Sequence, residues 1–390
     1  MAPIDRIDKR ELRDALADIG ADGWLIYDFH NLNPVAARLI QYRGMVTRRL
    51  FLWLPAAGKP TCIVHNIDTN AVSHIGADVS YYTTWQQLHA LLEETLGGKR
   101  VAMEVSTQNA VPYLDRVPAG VVELLGRFDT IVVPSDILVT RFAAAWSPEE
   151  LDAHRSAAEA IAGIARTMLR TVIAEAGSVS EYQVQQRVIE AMSRLGLQIE
   201  DPPIVGFGPN SANPHYYASE SNSRVLQRDE VVLLDLFGWK AGRGWADQTW
   251  MAFSGSAPPE EVVSVWEATR DARDAAVGRL RAAARGGEVI SGAMLDDAAR
   301  GLLRERGYAE WFTHRTGHSI DADLHGSGPH LDNFETNDIR ALVPGVVFSI
   351  EPGVYLTDRF GMRSEINVIL WDDGPEVTPR EPQTELIVAR

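Results

Sequence analysis

Four acids sit where the apolar pattern of the chain announces core. Asp235 interrupts "VVLLDLFG", Asp247 lies in "WADQTWMAF", Glu351 closes "VVFSIEP" and Glu365 follows in "GMRSEINVIL". Two histidines accompany them, His215 in "ANPHYYAS" and His318 in "THRTGHSID". An unpaired charge in a core is costly. The acids therefore imply a cation between them, a shared proton, or strand faces open to water. Carboxylate oxygens with imidazole nitrogen suit manganese, cobalt, iron or zinc better than a thiolate-seeking ion. His314 precedes His318 by four residues, which invites a zinc-helix reading, but Gly317 and the lack of Glu at 315 speak against it.

Strands must position these acids. "VVLLDLFGWKAGRGWADQTWMAF" reads as a hairpin; if Asp235 faces Asp247 across it, the loop centres on Ala241 and Gly242 takes the left-handed position of a three-residue turn. Val347, Ser349 and Glu351 share one strand face, and Pro352 holds Glu351 extended and ends the ladder. Arg363, Glu365 and Asn367 share a polar face opposite Ile366, Val368 and Leu370. The order of elements repeats over 148–371: helix, helix, histidine, acid strand, acid strand. Two such halves face to face would gather four carboxylates and two histidines at a common centre.

Ahead of them, residues 1–146 read as a small α/β domain, with strands in "GWLIYDF", "RRLFLWLP", "TCIVHN" and "DTIVVPS". A capping box at Ser147, with Pro148 in the first turn and Glu150 three residues on, opens a long helix and a second domain, 147–390. The 390 residues carry 37 basic and 53 acidic side chains for a net charge of -16, with no basic block. Nucleic acid is not an expected partner. Cys62 is the single cysteine, so an intramolecular disulfide and a cysteine zinc site are excluded. The charged N-terminal stretch has no signal-like apolar core and no run has membrane-span length, which predicts a cytoplasmic protein.

With these residues in place the chain resembles the pita-bread metallopeptidases, the family of methionine aminopeptidase, aminopeptidase P and prolidase, and specifically the Xaa-Pro branch. "LLDLFG", "WADQTW", "TGHSI", "SIEPGVYL" and "GMRSEINVIL" resemble, in family order, the phrases of five ligands. The resemblance implies an α/β N-terminal domain followed by an α+β pita-bread domain of pseudo-twofold halves. It implies that Asp235, Asp247, His318, Glu351 and Glu365 hold two divalent ions, manganese first, with cobalt, zinc or iron as alternatives. Glu351 would double as general base, with His325 and His215 on the scissile carbonyl and its oxyanion. His314, Tyr355, Arg363 and Asp28 match supporting positions. The implied activity is hydrolysis at the N-terminal end of small peptides, at Xaa-Pro bonds, by a homodimer.

The sequence also departs from the family. Gly-His-Ser replaces the usual Gly-His-Gly, Gly326 stands where an acid commonly follows the second histidine, and Ile366 replaces a common Asp. Segment "DNFETNDIRALVPG" is long, and "DFHNLNPV" lacks the phrase usual in this branch. Two rival readings are a metal-free amidinohydrolase resembling creatinase, which replaces most ligands, and a peptide-binding pseudoenzyme.

Overall fold

Period-two burial builds the sheets and capped amphipathic stretches build the helices. The computed structural model describes residues 3–242 and 244–389, in two compact units, 1–144 and 145–390.

In the N-terminal unit six strands are ordered β4-β3-β2-β1-β5-β6. They are β1 (Gly23–Asp28), β2 (Leu50–Pro55), β3 (Thr61–His65), β4 (Asp78–Tyr82), β5 (Arg100–Met103) and β6 (Ile131–Pro134). Strands β4 and β5 escape the sequence reading: "DVSYY" is a half-exposed edge without an apolar run, and "RVAM" is only four residues long. Glu104, directly after β5, is fully buried and accepts hydrogen bonds from Trp24 Nε1 (2.6 Å), Asn33 Nδ2 (3.0 Å) and Ser135 Oγ (3.1 Å). Burial pushes its carboxyl from 4.5 up to about 7, although the three donors pull the other way. A folded value above the unfolded one means the folded state holds the extra proton. Its stabilising effect is complete below pH 4.5 and is lost as pH rises through about 7, a fall of roughly 3 kcal/mol. Glu104→Gln is expected to flatten that fall, as read by urea unfolding from pH 4.5 to 8; equal slopes in both proteins would refute it.

The C-terminal unit opens on the expected capping box. The amide of Glu150 donates to Ser147 Oγ and that of Ser147 to the Glu150 carboxylate, starting helix Pro148–Ala174. Ten strands follow among the described residues: β7 (Ile204–Phe207), β8 (Val231–Trp239), β9 (Trp245–Phe253), β10 (Ser319–Ile320), β11 (Val347–Ile350), β12 (Gly353–Leu356), β13 (Phe360–Arg363), β14 (Ile366–Trp371), β15 (Gly374–Thr378) and β16 (Ile387–Val388). One sheet runs β16-β9-β8-β7, another β10-β11-β14-β15, and β12-β13 form a separate ribbon.

A helix pair backs each half. Helices Pro148–Ala174 and Glu181–Arg194 pack with Val232, Leu234, Leu236, Ala246, Trp250 and Ala252. Helices Glu260–Gly286 and Gly292–Glu305 pack with Phe348, Ile350, Ile366, Val368 and Leu370. Alternation then leaves Asp235, Asp247, Thr249, Ser349 and Asn367 on the opposite strand faces, turned away from the helices that bury their neighbours. Pro352 and Gly353 move the chain from β11 to the ribbon, so Glu351 stands at a sheet end, as its sequence implies.

Candidate metal centre

The hairpin register differs from the expected one. Asp235 pairs with Thr249 and Asp247 with Phe237, and the ladder closes at Trp239 and Trp245. The connection through 240–244 therefore has five residues instead of three, and the two carboxylates are diagonal neighbours. The physical reason lies at Gly244, where a Cβ would come within 2.3 Å of the Glu150 carbonyl and the His154 amide. The turn is seated on the first helix, and Gly242, at φ 104°, sits inside a longer loop.

Diagonal placement still brings the acids together. Oxygen and nitrogen atoms of Asp247, His318 and Glu365 lie within 4.8 Å of one another. His318 Nε2 is 3.4 Å from both Asp247 Oδ2 and Glu351 Oε1. Asp235 bonds Arg363 Nη2, whose Nε stands 3.9 Å from Glu351 Oε2 and Glu365 Oε2. Nδ1 of His318 donates to the Ser319 carbonyl (3.2 Å), which leaves the Nε2 lone pair facing the carboxylates.

Neighbours aim these groups. Thr249 Oγ1 donates to Glu365 Oε2 (2.7 Å) and accepts from Arg363 Nε (2.7 Å). Ser349 Oγ donates to Glu351 Oε1 (3.1 Å) and accepts the His318 amide (2.9 Å). Asn367 Oδ1 accepts the Asp247 amide (2.9 Å), tying the two halves together. Each of the three stands two residues from an acid and hence on its strand face, and that spacing is the signal by which the sequence marks them.

Electrostatically the cluster is short of positive charge. Burial, then the charge of Asp235, pushes the Asp247 carboxyl well above the usual range; burial, then Asp247, does the same to Glu365. Among the described residues, the buried Asp235 Oδ1 and Glu365 Oε1 have no hydrogen-bond partner. Buried oxygens of this kind demand a partner, and four carboxylates with one oriented imidazole form a donor set for hard or borderline divalent ions. The residues fit such a group.

The remaining expected residues fall into four places. His325 meets His318 edge-on with ring centres 4.3 Å apart, and the neighbouring His318, then burial, hold its imidazole down at about 3. Its loop is pinned: Trp146 and Trp245 indoles donate to the carbonyls of Ile320 (2.8 Å) and Ala322 (3.1 Å), and Asp321 accepts the amides of Asp323 (3.1 Å) and Ser327 (2.7 Å). A Cβ at Gly326 would meet the Asp321 carboxyl at 2.6 Å, so the acid absent at 326 leaves room for the one at 321. His215 is exposed on the segment between β7 and β8, and its charge acts on His325. His314 Nε2 accepts from Tyr355 OH (2.8 Å), while its Nδ1 donates to the Arg315 carbonyl (2.7 Å). Asp28 belongs to the N-terminal unit, fully buried, accepting the amides of Leu32 (3.0 Å) and Asn33 (3.1 Å) and the Tyr42 hydroxyl (2.7 Å). Of the departures, Ser319 supplies the carbonyl that orients His318, and Ile366 is core.

Gly317 is indispensable to this geometry. A Cβ there would lie 2.0 Å from the Ser349 carbonyl oxygen, so Gly317→Ala must shift His318 from the carboxylates. Its affinity for manganese or cobalt is expected to fall about 10- to 100-fold, the cost of misorienting a ligand. Calorimetric titration checks this, and unchanged affinity would contradict it.

Residues 152–371, more than half of the chain, match the profile of metallopeptidase family M24. The chain belongs to this family. It is 31% identical over 380 residues to "Probable dipeptidase PepE" of Mycobacterium bovis, covering 96% of this chain and 94% of that protein. It is 32% identical over 206 residues to an Xaa-Pro dipeptidase of Lactobacillus delbrueckii subsp. lactis, covering 53% and 51%. Among solved structures, dipeptidase PepE from Mycobacterium ulcerans superposes with TM-score 0.76 at 26% identity, over 97% and 96% of the two chains. Prolidase from Thermococcus sibiricus gives 0.68 at 24%, over 98% and 100%, a likeness of fold. The M24 chain is thus a metallopeptidase with the pita-bread fold that its sequence leads one to expect. No helix among its described residues is long and apolar enough to cross a membrane.

Proposed function

We propose that this M24 metallopeptidase hydrolyses Xaa-Pro bonds at the N-terminal end of short peptides, using two divalent ions held by Asp235, Asp247, His318, Glu351 and Glu365. The observation that carries the reading is the convergence of Asp247, Glu351 and Glu365 on the His318 imidazole, with Asp235 tied in through Arg363 and with buried oxygens of Asp235 and Glu365 lacking a hydrogen-bond partner. The likeness to a Lactobacillus Xaa-Pro dipeptidase supports the proline preference, and dipeptidase PepE supports a dipeptide substrate. Manganese is the proposed native metal, a homodimer the proposed assembly and the cytoplasm the proposed location. The proposed functional domains are 1–146 and 147–390.

When bound, divalent ions supply Lewis acidity and lower the pKa of water towards neutrality. The chain does the rest. Glu351, fixed by Ser349 and standing at the partly open end of β11, accepts the proton from the attacking water. His325, neutral near pH 7 because its imidazole is held low, donates to the carbonyl oxygen as it gains charge, and His215 donates from the other side. Tyr355 and His314 bond to one another beside the site and keep Arg363 company there; Arg363 balances Asp235.

Retention of all five ligands disfavours a metal-free creatinase-like reaction and a pseudoenzyme. The deciding assay loads the protein with manganese, cobalt, zinc or iron in turn and compares Xaa-Pro, Xaa-Pro-Yaa and Xaa-Ala peptides. Xaa-Pro is expected to be cleaved fastest. Faster cleavage of Xaa-Ala would remove the proline preference, and bound metal without turnover of any peptide would favour the pseudoenzyme.

A further inference from the structure

Past Phe207, the last residue of β7, the segment 207–224 that carries His215 has little regular structure: beyond the short 3-10 helix Gly208–Ala212 it is neither helix nor strand. Something else must fix it, because a catalytic side chain on a loose loop misplaced by about 1 Å can lose roughly a hundredfold in rate. One buried carboxylate does so. Glu181, in the first turn of helix Glu181–Arg194, has no exposed surface, and its side chain turns away from its own helix into this segment.

Its oxygens accept from the start, middle and end of the segment. Oε1 takes the Phe207 amide (2.8 Å), both oxygens take Asn210 Nδ2 (3.0 Å each), and Oε2 takes the Tyr216 hydroxyl (2.8 Å) and the Arg224 amide (2.9 Å). Tyr216, the immediate neighbour of His215, is buried, so its phenol anchors the backbone from which the exposed imidazole projects. On the other side the His215 amide donates to Asn213 Oδ1 (3.1 Å). Four donors converging on two oxygens require an acceptor-only group; an amide of the same length would turn its NH2 against one of them.

We propose that Glu181 is a positioning residue for the reaction: it holds segment 207–224 so that His215 stands opposite His325. The proposal rests on the reading of His215 as a substrate contact. Two measurements on the full chain test it. Glu181→Gln is expected to speed hydrogen exchange of the amides in 207–224 while β8 and β9 keep their protection and metal content stays unchanged. In the manganese-loaded enzyme the same substitution is expected to lower kcat about 10- to 100-fold, with a smaller effect on KM. In a His215→Ala background it should cost less than about twofold more, because a residue acting only through His215 has nothing left to position.

An equal loss in both backgrounds, or unaltered exchange over 207–224, would overturn the proposal. Full activity of His215→Ala alone would overturn the substrate-contact reading, and the positioning role with it. Should Glu181→Gln fail to fold, Tyr216→Phe removes one of these bonds together with the hydroxyl's contact to the Asn222 carbonyl (3.1 Å). It should show the same dependence on His215 at smaller amplitude, and an equal effect in both backgrounds would again overturn the proposal.

Discussion

Manganese-loaded protein carrying Asp247→Ala is expected to leave an Xaa-Pro dipeptide intact. Asp247 is the acid through which the cluster is knit: its oxygen is 3.4 Å from His318 Nε2, its ligating atom lies within 4.8 Å of those of His318 and Glu365, and its strand neighbour Thr249 bonds Glu365. Alanine deletes a ligand while sparing the backbone bond from residue 247 to Asn367, which belongs to the amide. The strand therefore keeps its place. Metal stabilisation of developing charge is worth several kcal/mol, and each 1.36 kcal/mol is tenfold in rate, so residual activity should be about a thousandth or less. Metal analysis alongside the assay should show substoichiometric binding. Activity comparable with the parent would remove the assignment of the centre altogether.

A second result concerns stability, with opposite signs in the two states. Without metal, three buried carboxylates and the partly buried Glu351 face one another with Arg363 among them, so the centre opposes folding. Saturating manganese at about 100 times its dissociation constant should stabilise the folded state by about 2.7 kcal/mol, or roughly 5 to 10 °C in melting temperature for a unit of this size. Glu365→Gln replaces a carboxyl whose ionised form burial and Asp247 disfavour with a neutral amide that offers an N–H to the neighbouring acids. In chelator it is expected to melt above the parent by roughly 1 kcal/mol, yet to gain almost nothing from manganese. Thermal unfolding of both proteins with and without metal decides the matter. A Gln variant that is less stable than the parent in chelator would mean that the carboxylates are not in conflict.

Much of this centre is legible in the sequence because its ligands interrupt apolar runs. A lone Asp in "VVLLDLFG" or Glu in "VVFSIEP" is conspicuous where neighbours spell core, and period two assigns its face. Helix capping at Ser147 is equally local and equally readable. The register of β8 on β9 is not, since it depends on Gly244 packing against a helix some ninety residues away in the chain. Glu181 and Asp321 escape for a related reason: each serves amides in segments whose conformation has no periodicity, so nothing in their spacing betrays them. Asp28 reads as a site residue only through resemblance, and its observed bonds are those of a loop cap.

The alternation along β8 has a consequence for how the protein assembles. Leu234 and Leu236 pack against the helices while Asp235 faces the other way. A slip of one residue would thrust the carboxylate into oil and put leucine among the acids, failing on both faces at once. Folding is thereby made to proofread the chemistry: the chain cannot bury its leucines correctly without also presenting its acids.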